Sequence, residues 1–534
     1  MRTLKKTMMA CAVAAAAGLG PAAMLVESAV AAPEGERRSV TRLSRGHVQD
    51  LGIDQIRRAL VRSLEGLLRD HQGELQIRVV QPSAPLRIPS GRVDVQVLSG
   101  GSDLELGRLP FHVTVWVDGR RVQGLDVVAD VEVMADVIVN HVSSDSPQYR
   151  DFSARGSASG FAGLFLTLDA VFPQGATGQD LLKIYRPRPG LPFTVATLEN
   201  GERRILWTTF TSKQVDIDVS HPQGRAYLDG ILRALQAGGV RLIRLDAAGY
   251  AVKKAGGTCF MMPETYAFID AFAARARALG MEVLVEIHSH YRQQIEIASR
   301  VDRVYDFALP PLVLHACQFR NARWLKEWIR IRPRNAVTVL DTHDGIGIVD
   351  IGPDPVDREG RPGLVPAAEL DAVVEGIHER SRGESRRATG AAASNLDLYQ
   401  VNCTFYDALG RDDGAYLLAR AIQLFVPGVP QVYYVGLLAG ENDMDLLSRT
   451  GVGRDINRHF FRPGEVEQAL RKPVVRDLLG LIRLRNRHPA FGGRFDLEAT
   501  ADDRLSLRWT HGTESVALRV DFRTLRYEVI DSAR

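Results

Sequence analysis

Ionisable and amide side chains gather at four places where an apolar run ends: Asn140-His141, Arg244-x-Asp246, Glu286-x-His288 and Asp341-Thr342-His343-Asp344. Singly, each has an ordinary explanation: Arg244 and Asp246 as a structural ion pair, His141 as a strand cap, Glu286 as a solvated edge charge. Four strand ends aimed at one face are harder to explain that way. Carboxylates converging there meet the needs of glycoside chemistry, in which one attacks the anomeric carbon and another protonates the leaving oxygen. A retaining reaction requires the two about 5 Å apart, which adjacent strands provide. Arg244 precedes Asp246 by two residues, so both side chains leave the strand on the same side. The guanidinium would keep Asp246 ionised and in one rotamer, as a nucleophile needs. Glu286 lies between Val285 and Ile287, an apolar setting that raises a carboxyl pKa toward the range of a general acid.

The elements that must position these groups read as parallel β/α units. Candidate strands are Ala135–Asn140, Val240–Leu245, Glu282–Ile287, Val304–Ala308, Ala336–Leu340 and, in part, Val429–Gly436, with helical stretches such as Gly224–Ala237, Pro263–Leu279 and Ala415–Phe425 between them. In a β/α barrel the carboxyl ends of the strands form the reactive face. Six such strands imply a (β/α)8-type barrel that lacks its first two β/α units. Upstream, Glu74–Gln81, Arg92–Leu98, Phe111–Asp118 and Gly124–Met134 alternate with period two behind a short helix, the pattern of a small, mostly antiparallel β domain. Downstream of the helix Val474–Arg487, residues Phe495–Ile530 alternate again, as a second antiparallel β domain.

The bulk composition narrows the classes. Lys+Arg 67 against Asp+Glu 64, with no long run of one sign, gives nothing for nucleic acid to bind. Cys11, Cys259, Cys317 and Cys403 are far apart with no CxxC pair, so neither a zinc site nor a disulfide framework is expected. Arg2, Lys5 and Lys6 precede an Ala-rich apolar run ending at Ala29-Val30-Ala31, the layout of a secretory signal peptide. The expected organisation is a signal peptide over 1–32, a β-rich domain over 36–135, a truncated barrel over 136–487 and a β domain over 488–534.

The segments VNH, RLDAAGY, EIHSHY and LDTHDG resemble the four signature regions of the α-amylase superfamily, glycoside hydrolase family 13. IYRPRPGLPF, FTSKQVDIDV, RVDRVYDFALPP, TGAAASNLDLYQVN, PGVPQVYYVG and GRDINRHFF are similar to sucrose phosphorylases. The likeness runs from about residue 137 to the end. It implies Asp246 as nucleophile, Glu286 as acid/base and Asp344 as the carboxylate that stabilises an oxocarbenium-like transition state. It further implies that His141, Arg244, His343 and Arg454 hold the glucosyl ring, and that Phe210, Gln214, Tyr250 and His288 line the pocket. The Tyr185–Arg188 loop and Asp397, Leu398, Tyr399 and Gln400 match two acceptor-site loops, with Arg188 and Tyr399 as phosphate contacts. An Arg between two prolines, Pro187-Arg188-Pro189, is a stiff donor for a dianion. Transfer of glucose from sucrose to inorganic phosphate by this scheme retains configuration and uses no metal or organic cofactor. The partners implied are those two substrates, with a homodimer allowed and no stable membrane span.

Two departures accompany the resemblance. The stretch RLPFHVTVWVDGRRVQGLDVVADVEV resembles flagellar basal-body P-ring assembly chaperones, which are periplasmic, so the enzyme family implies the cytoplasm and a working leader the periplasm. An alternative reading is therefore a periplasmic assembly factor with an inert passenger, and another is a related glucoside phosphorylase or hydrolase. Loss of the first two barrel units also removes the family's early Asp, the partner of the Arg matched by Arg454, and opens two sheet edges. The chain as written is expected to be weakly active or inactive.

Overall fold

The computed structural model describes strands at 40–42, 77–79, 93–99, 108–117 and 120–130, then residues 134–532 apart from 187–189, 355, 358–359 and 390–399. The proposed leader, Cys11 and the short amino-terminal helix lie outside the described residues.

The five early strands form one antiparallel sheet. Val93–Ser99 pairs with Arg108–Val117, which pairs with Arg120–Asp130, and Val40–Arg42 and Ile77–Val79 close the two sides. Period-two alternation foretold this arrangement, although Val40–Arg42 was not among the expected strands. The last early strand stops at Asp130, and Met134 already belongs to the next sheet.

That sheet has six strands, Met134–Ile138, Leu242–Asp246, Glu282–Val285, Arg303–Asp306, Ala336–Thr338 and Val429–Pro430, each parallel to its neighbour and adjacent in chain order. Alternation along the strands divides their side chains. Met134, Leu284, Tyr305 and Val337 pack together on the barrel's inner side, with Leu242 against them. Val137, Ile243, Leu245, Val283, Val285 and Val304 pack on the other side with residues of the crossover helices. By that parity Asp136, Arg244 and Asp246 point inward. Register does the rest, because Arg244 stands opposite Asp136 on one side and Leu284 on the other.

The helices Pro222–Ala237, Pro263–Ala278 and Asp413–Phe425 fall where periodicity put them. Pro opens the first two, where its missing N–H costs nothing. Gly280, at φ 76°, takes the left-handed conformation that turns the chain back into the Glu282–Val285 strand. Only Val429–Pro430 of the sixth expected strand is extended, and Tyr434–Leu437 is helical. Pro430 has no N–H to give the ladder, which ends there.

Among the described residues no strand pairs with the outer edge of Met134–Ile138 or of Val429–Pro430. Ile138 and Val429 are 41% and 48% exposed, so apolar side chains face solvent at both edges. The carboxyl end is a four-stranded antiparallel meander, Arg494–Glu498, Arg504–His511, Glu514–Asp521 and Arg526–Asp531. Its Leu505, Leu507 and Trp509 share a core with the helices Asp413–Phe425 and Pro473–Arg487, and Trp509 Nε1 donates to Phe425 O at 2.7 Å. No helix among the described residues is long and apolar enough to cross a membrane. Cys259, Cys317 and Cys403 are free and buried.

Candidate active site

Arg244 is the hub of the inner face. Its Nη1 donates to Asp136 Oδ1 at 2.9 Å and to Asp246 Oδ1 at 2.8 Å, and its Nη2 stands 3.7 Å from Glu286 Oε1. One buried guanidinium therefore serves three carboxylates. Burial works against its charge, but Asp136, Asp246 and Glu286 outweigh it and hold Arg244 firmly cationic.

Asp246 ends its strand and keeps 28% of its side chain exposed, whereas the Glu286 side chain keeps only 9%. The residue after Asp246, Ala247, adopts a left-handed φ of 54°, uncommon for a residue with a Cβ. That turn directs its backbone N–H to Glu286 Oε2 at 3.2 Å. Burial pushes the Glu286 pKa up; Arg244 and His288 oppose, Asp246 and Asp344 assist, and the net direction is upward. This is the shift expected from Val285 and Ile287 beside it.

Asp344 has the opposite surroundings. Arg454 Nη1 donates to its Oδ1 at 2.7 Å, and Arg458 Nη2 and His343 Nε2 stand 3.5 and 3.7 Å from the same oxygen. Burial would raise its pKa, but Arg454, His343 and Arg458 hold it far below the usual carboxylate range. Asn457 Nδ2 and Arg458 Nε secure the backbone beside it, donating to Asp344 O at 2.8 Å and to His343 O at 2.7 Å. Arg454 was expected to have lost its acidic partner with the missing units. In the structure Arg454 meets Asp344 through Nη1, and Arg454 Nη2 donates to Gln400 Oε1 at 3.3 Å.

His288 lies 3.6 Å from Glu286 Oε1 through Nε2. The nearest donor atoms of Glu286, His288 and Asp344 fall within 4.8 Å of one another. Arg244, Arg454 and Arg458 already supply counter-charge to these carboxylates, and we assign no metal ligand there.

A second group forms an aromatic wall. Gln214 Nε2 meets His141 Nε2 at 2.8 Å, His141 packs edge-on to Phe210 at 5.5 Å, and Phe210 packs edge-on to Tyr250 at 5.2 Å. Tyr185 stacks beside Tyr250 at 6.3 Å, and burial, then Asp350 and Asp354, push its hydroxyl up to about 12. Asp216, beside Gln214, is fully buried and bridges Thr209 and the Lys253 ammonium, which also reaches Asn140 Oδ1 at 2.6 Å. The wall is thus tied to the strand end that carries His141. Arg188, Asp397, Leu398 and Tyr399 lie outside the described residues.

Sequence reasoning missed Asp136, Asp350, Asn457 and Arg458. Arg458 and Asn457 sit inside the GRDINRHFF run already singled out, and Asp136 was legible as the inward residue of its strand.

Comparison with known proteins accords with this geometry. The chain is 58% identical over 407 residues to a sucrose phosphorylase of Agrobacterium vitis, covering 76% of this chain and 82% of that protein. The chain belongs to the sucrose phosphorylase family. A sucrose phosphorylase of Bifidobacterium adolescentis is 50% identical over 403 residues, 75% of this chain and 80% of that protein. Relatives named for other activities are also similar, including a glucosylglycerol phosphorylase of Marinobacter adhaerens at 40% over 407 residues, 76% of this chain and 82% of that protein. The crystal structure of sucrose 6F-phosphate phosphorylase from Thermoanaerobacter thermosaccharolyticum matches with a TM-score of 0.68 at 37% identity, over 75% of this chain and 80% of that one. No family profile matches the chain. The expected (β/α)8-type fold with a carboxyl-terminal antiparallel sheet is therefore borne out, with six of the barrel's strands among the described residues.

Proposed function

We propose that the site transfers glucose from sucrose to inorganic phosphate with retention, giving α-glucose 1-phosphate and fructose. The observation that carries this reading is the contrast among three carboxylates on one face. Asp246 is the most exposed and held by a guanidinium at 2.8 Å, Glu286 is buried with a raised pKa, and Asp344 is saturated with cations. Asp246 Oδ attacks the anomeric carbon while Glu286 gives its proton to the fructosyl oxygen, which leaves as fructose. Glu286, now a carboxylate, takes the proton of the incoming phosphate as that oxygen displaces Asp246. Asp344, kept ionised throughout, stabilises the positive charge on the ring at both transition states. His141, Arg244, His343 and Arg454 hold the ring; Phe210, Gln214, Tyr250 and His288 line it. Tyr185, Arg188, Asp397, Leu398, Tyr399 and Gln400 form the acceptor side, with Arg188 and Tyr399 donating to phosphate.

Phosphate-dependent release of fructose from sucrose, abolished by Asp246→Ala, is the expected result. Release independent of phosphate would make the chain a hydrolase, and release only from another glucoside would redirect the donor. We place the rate well below the common enzyme value of ~10 per second, because Arg454 reaches Asp344 in place of the partner lost with the first two barrel units. A turnover near that value overturns this part of the reading.

We further read residues 1–32 as an export leader, 36–135 as a flagellar-chaperone-like β unit, 136–487 as the catalytic barrel and 488–534 as a β domain. The antiparallel sheet before Asp130 supports the second of these. Processed protein in a periplasmic fraction is the expected result, and an unprocessed cytoplasmic product removes the leader from the scheme.

A further inference from the structure

Asp350 is fully buried, six residues beyond Asp344, and among the described residues the hydrogen bonds drawn to it come from the loop and helix that follow Glu286. Its Oδ1 accepts from Ser289 N at 3.1 Å and from Gln294 Nε2 at 2.8 Å. Its Oδ2 lies 3.1 Å from His288 Nδ1. On the ring's other side Nε2 stands 3.6 Å from Glu286 Oε1, and the imidazole is stacked on Phe307 with centroids 3.9 Å apart and planes at 16°. The ring is thus fixed in plane by Phe307 and in rotation by Asp350. Gly347 leaves room for the pair: a Cβ there would stand 2.1 Å from Asp350 Oδ2 and 3.0 Å from His288 Nδ1.

We infer that Asp350 is a positioning residue for the reaction: by accepting from His288 Nδ1 it aims Nε2 at Glu286 and sets the charge that the acid/base residue meets. The inference rests on the reading of Glu286 as the acid/base. A buried carboxylate has only acceptor sites, so Nδ1 must carry a proton. Three carboxylates face the ring, Asp350, Glu286 and Asp344. Burial pushes the His288 pKa down, yet Asp350, Glu286 and Asp344 outweigh it and the net direction is upward. A cationic ring beside Glu286 acts with Arg244 against the rise that burial, Asp246 and Asp344 impose. Asp350, which touches no reacting group, thereby limits how far the acid is raised.

Asp350→Asn in the full chain is the direct test. Asparagine keeps a carbonyl oxygen for Ser289 N and Gln294 but offers an N–H to His288 Nδ1, which must then accept, moving the ring proton to Nε2. Expected are a change of His288 tautomer by nitrogen NMR, a fall of about one unit in its titration midpoint, and a shift of the alkaline limb of kcat/KM for sucrose to higher pH, because Glu286 loses a positive neighbour. In a His288→Phe background the same substitution should move the limb no further. A lowered melting temperature with tautomer and limb unchanged would make Asp350 merely structural and overturn the inference. Should Asp350→Asn not fold, the wild-type spectrum decides: His288 protonated at Nδ1 and titrating above an ordinary histidine supports the inference, and an unprotonated Nδ1 or a midpoint at or below that value overturns it. The spectrum reads the pair whether or not sucrose is turned over, so failure of the sucrose reading remains distinguishable.

Discussion

The two halves of the site solve the same electrostatic problem in mirror image. On the strand side one cation, Arg244, is shared by Asp136, Asp246 and Glu286. On the loop side one anion, Asp344, is shared by Arg454, Arg458 and His343. Negative charge in excess over cations favours keeping a proton on the most buried carboxyl, which is Glu286. Positive charge in excess favours keeping Asp344 stripped of its proton at any ordinary pH. Environments that push two carboxyls apart in this way are what acid/base and electrostatic roles require of chemically identical groups. Position in the fold explains the difference: the strand-side groups are set by parallel register, whereas Asp344 lies beyond a strand and is held by a segment 110 residues away.

Removing the shared cation should break the comparison most severely. Arg244→Met leaves Asp136, Asp246 and Glu286 together on a largely buried face. Uncompensated charge of this kind costs about 3–5 kcal/mol. Urea unfolding at pH 7 should show a loss in that range, together with fructose release below detection. A loss under about 1 kcal/mol, the worth of an exposed pair, would mean that solvent rather than Arg244 serves these carboxylates.

Removing one of several cations should matter less. Arg454→Ala takes the 2.7 Å donor from Asp344 but leaves Arg458 and His343, so about 1.5–3 kcal/mol is expected, the value of one charge-assisted hydrogen bond. Arg458→Ala, acting at 3.5 Å, should cost less than Arg454→Ala. The pH dependence fixes the sign. Asp344 is depressed in the folded state, so its contribution is fully present above the ordinary Asp value of about 3.9 and is lost as pH falls through the folded value. Arg454→Ala raises the folded value toward the unfolded one, so the deficit against wild type should be largest near neutrality and shrink in acid. A deficit independent of pH would place the Arg454 effect in packing.

Legibility in the sequence divides along the same line. Asp246 and Glu286 could be placed because apolar strands with period-two parity fix which side chains turn inward, and a spacing of two carries Arg244 with Asp246. The parallel sheet and the three long helices were readable for the same reason, since alternation and helical periodicity are local signals. Asp136 obeys the same parity, two residues after Met134 and opposite Arg244, but no motif marked it out. Arg458, Asn457 and Asp350 could not be assigned partners from spacing, because loop geometry rather than periodicity brings them to Asp344 and His288. The pairing of Arg454 with Asp344 was unreadable for a further reason: the two lie 110 residues apart in chain order, and nothing local says which carboxylate the guanidinium meets.

The smallest effect expected is also the sharpest test, because it runs against the usual direction of active-site substitutions. Glu286→Gln removes one negative charge from the group around Arg244 while keeping shape, volume and an acceptor oxygen for Ala247 N, now 3.2 Å away. The raised pKa of Glu286 means that its charged form is less favourable folded than unfolded, so ionisation destabilises the native state as pH rises through the unfolded value. Glutamine has no such penalty. The variant should therefore be more stable than wild type by about 0.5–1 kcal/mol at pH 7, with the advantage vanishing below pH ~4 where glutamic acid is protonated in both states. Asp344→Asn supplies the opposite arm, since it strips the Arg454 and Arg458 guanidiniums of their shared anion and should destabilise at pH 7. Equal and same-signed changes for Glu286→Gln and Asp344→Asn in parallel thermal melts would show that the two halves are not electrostatic opposites.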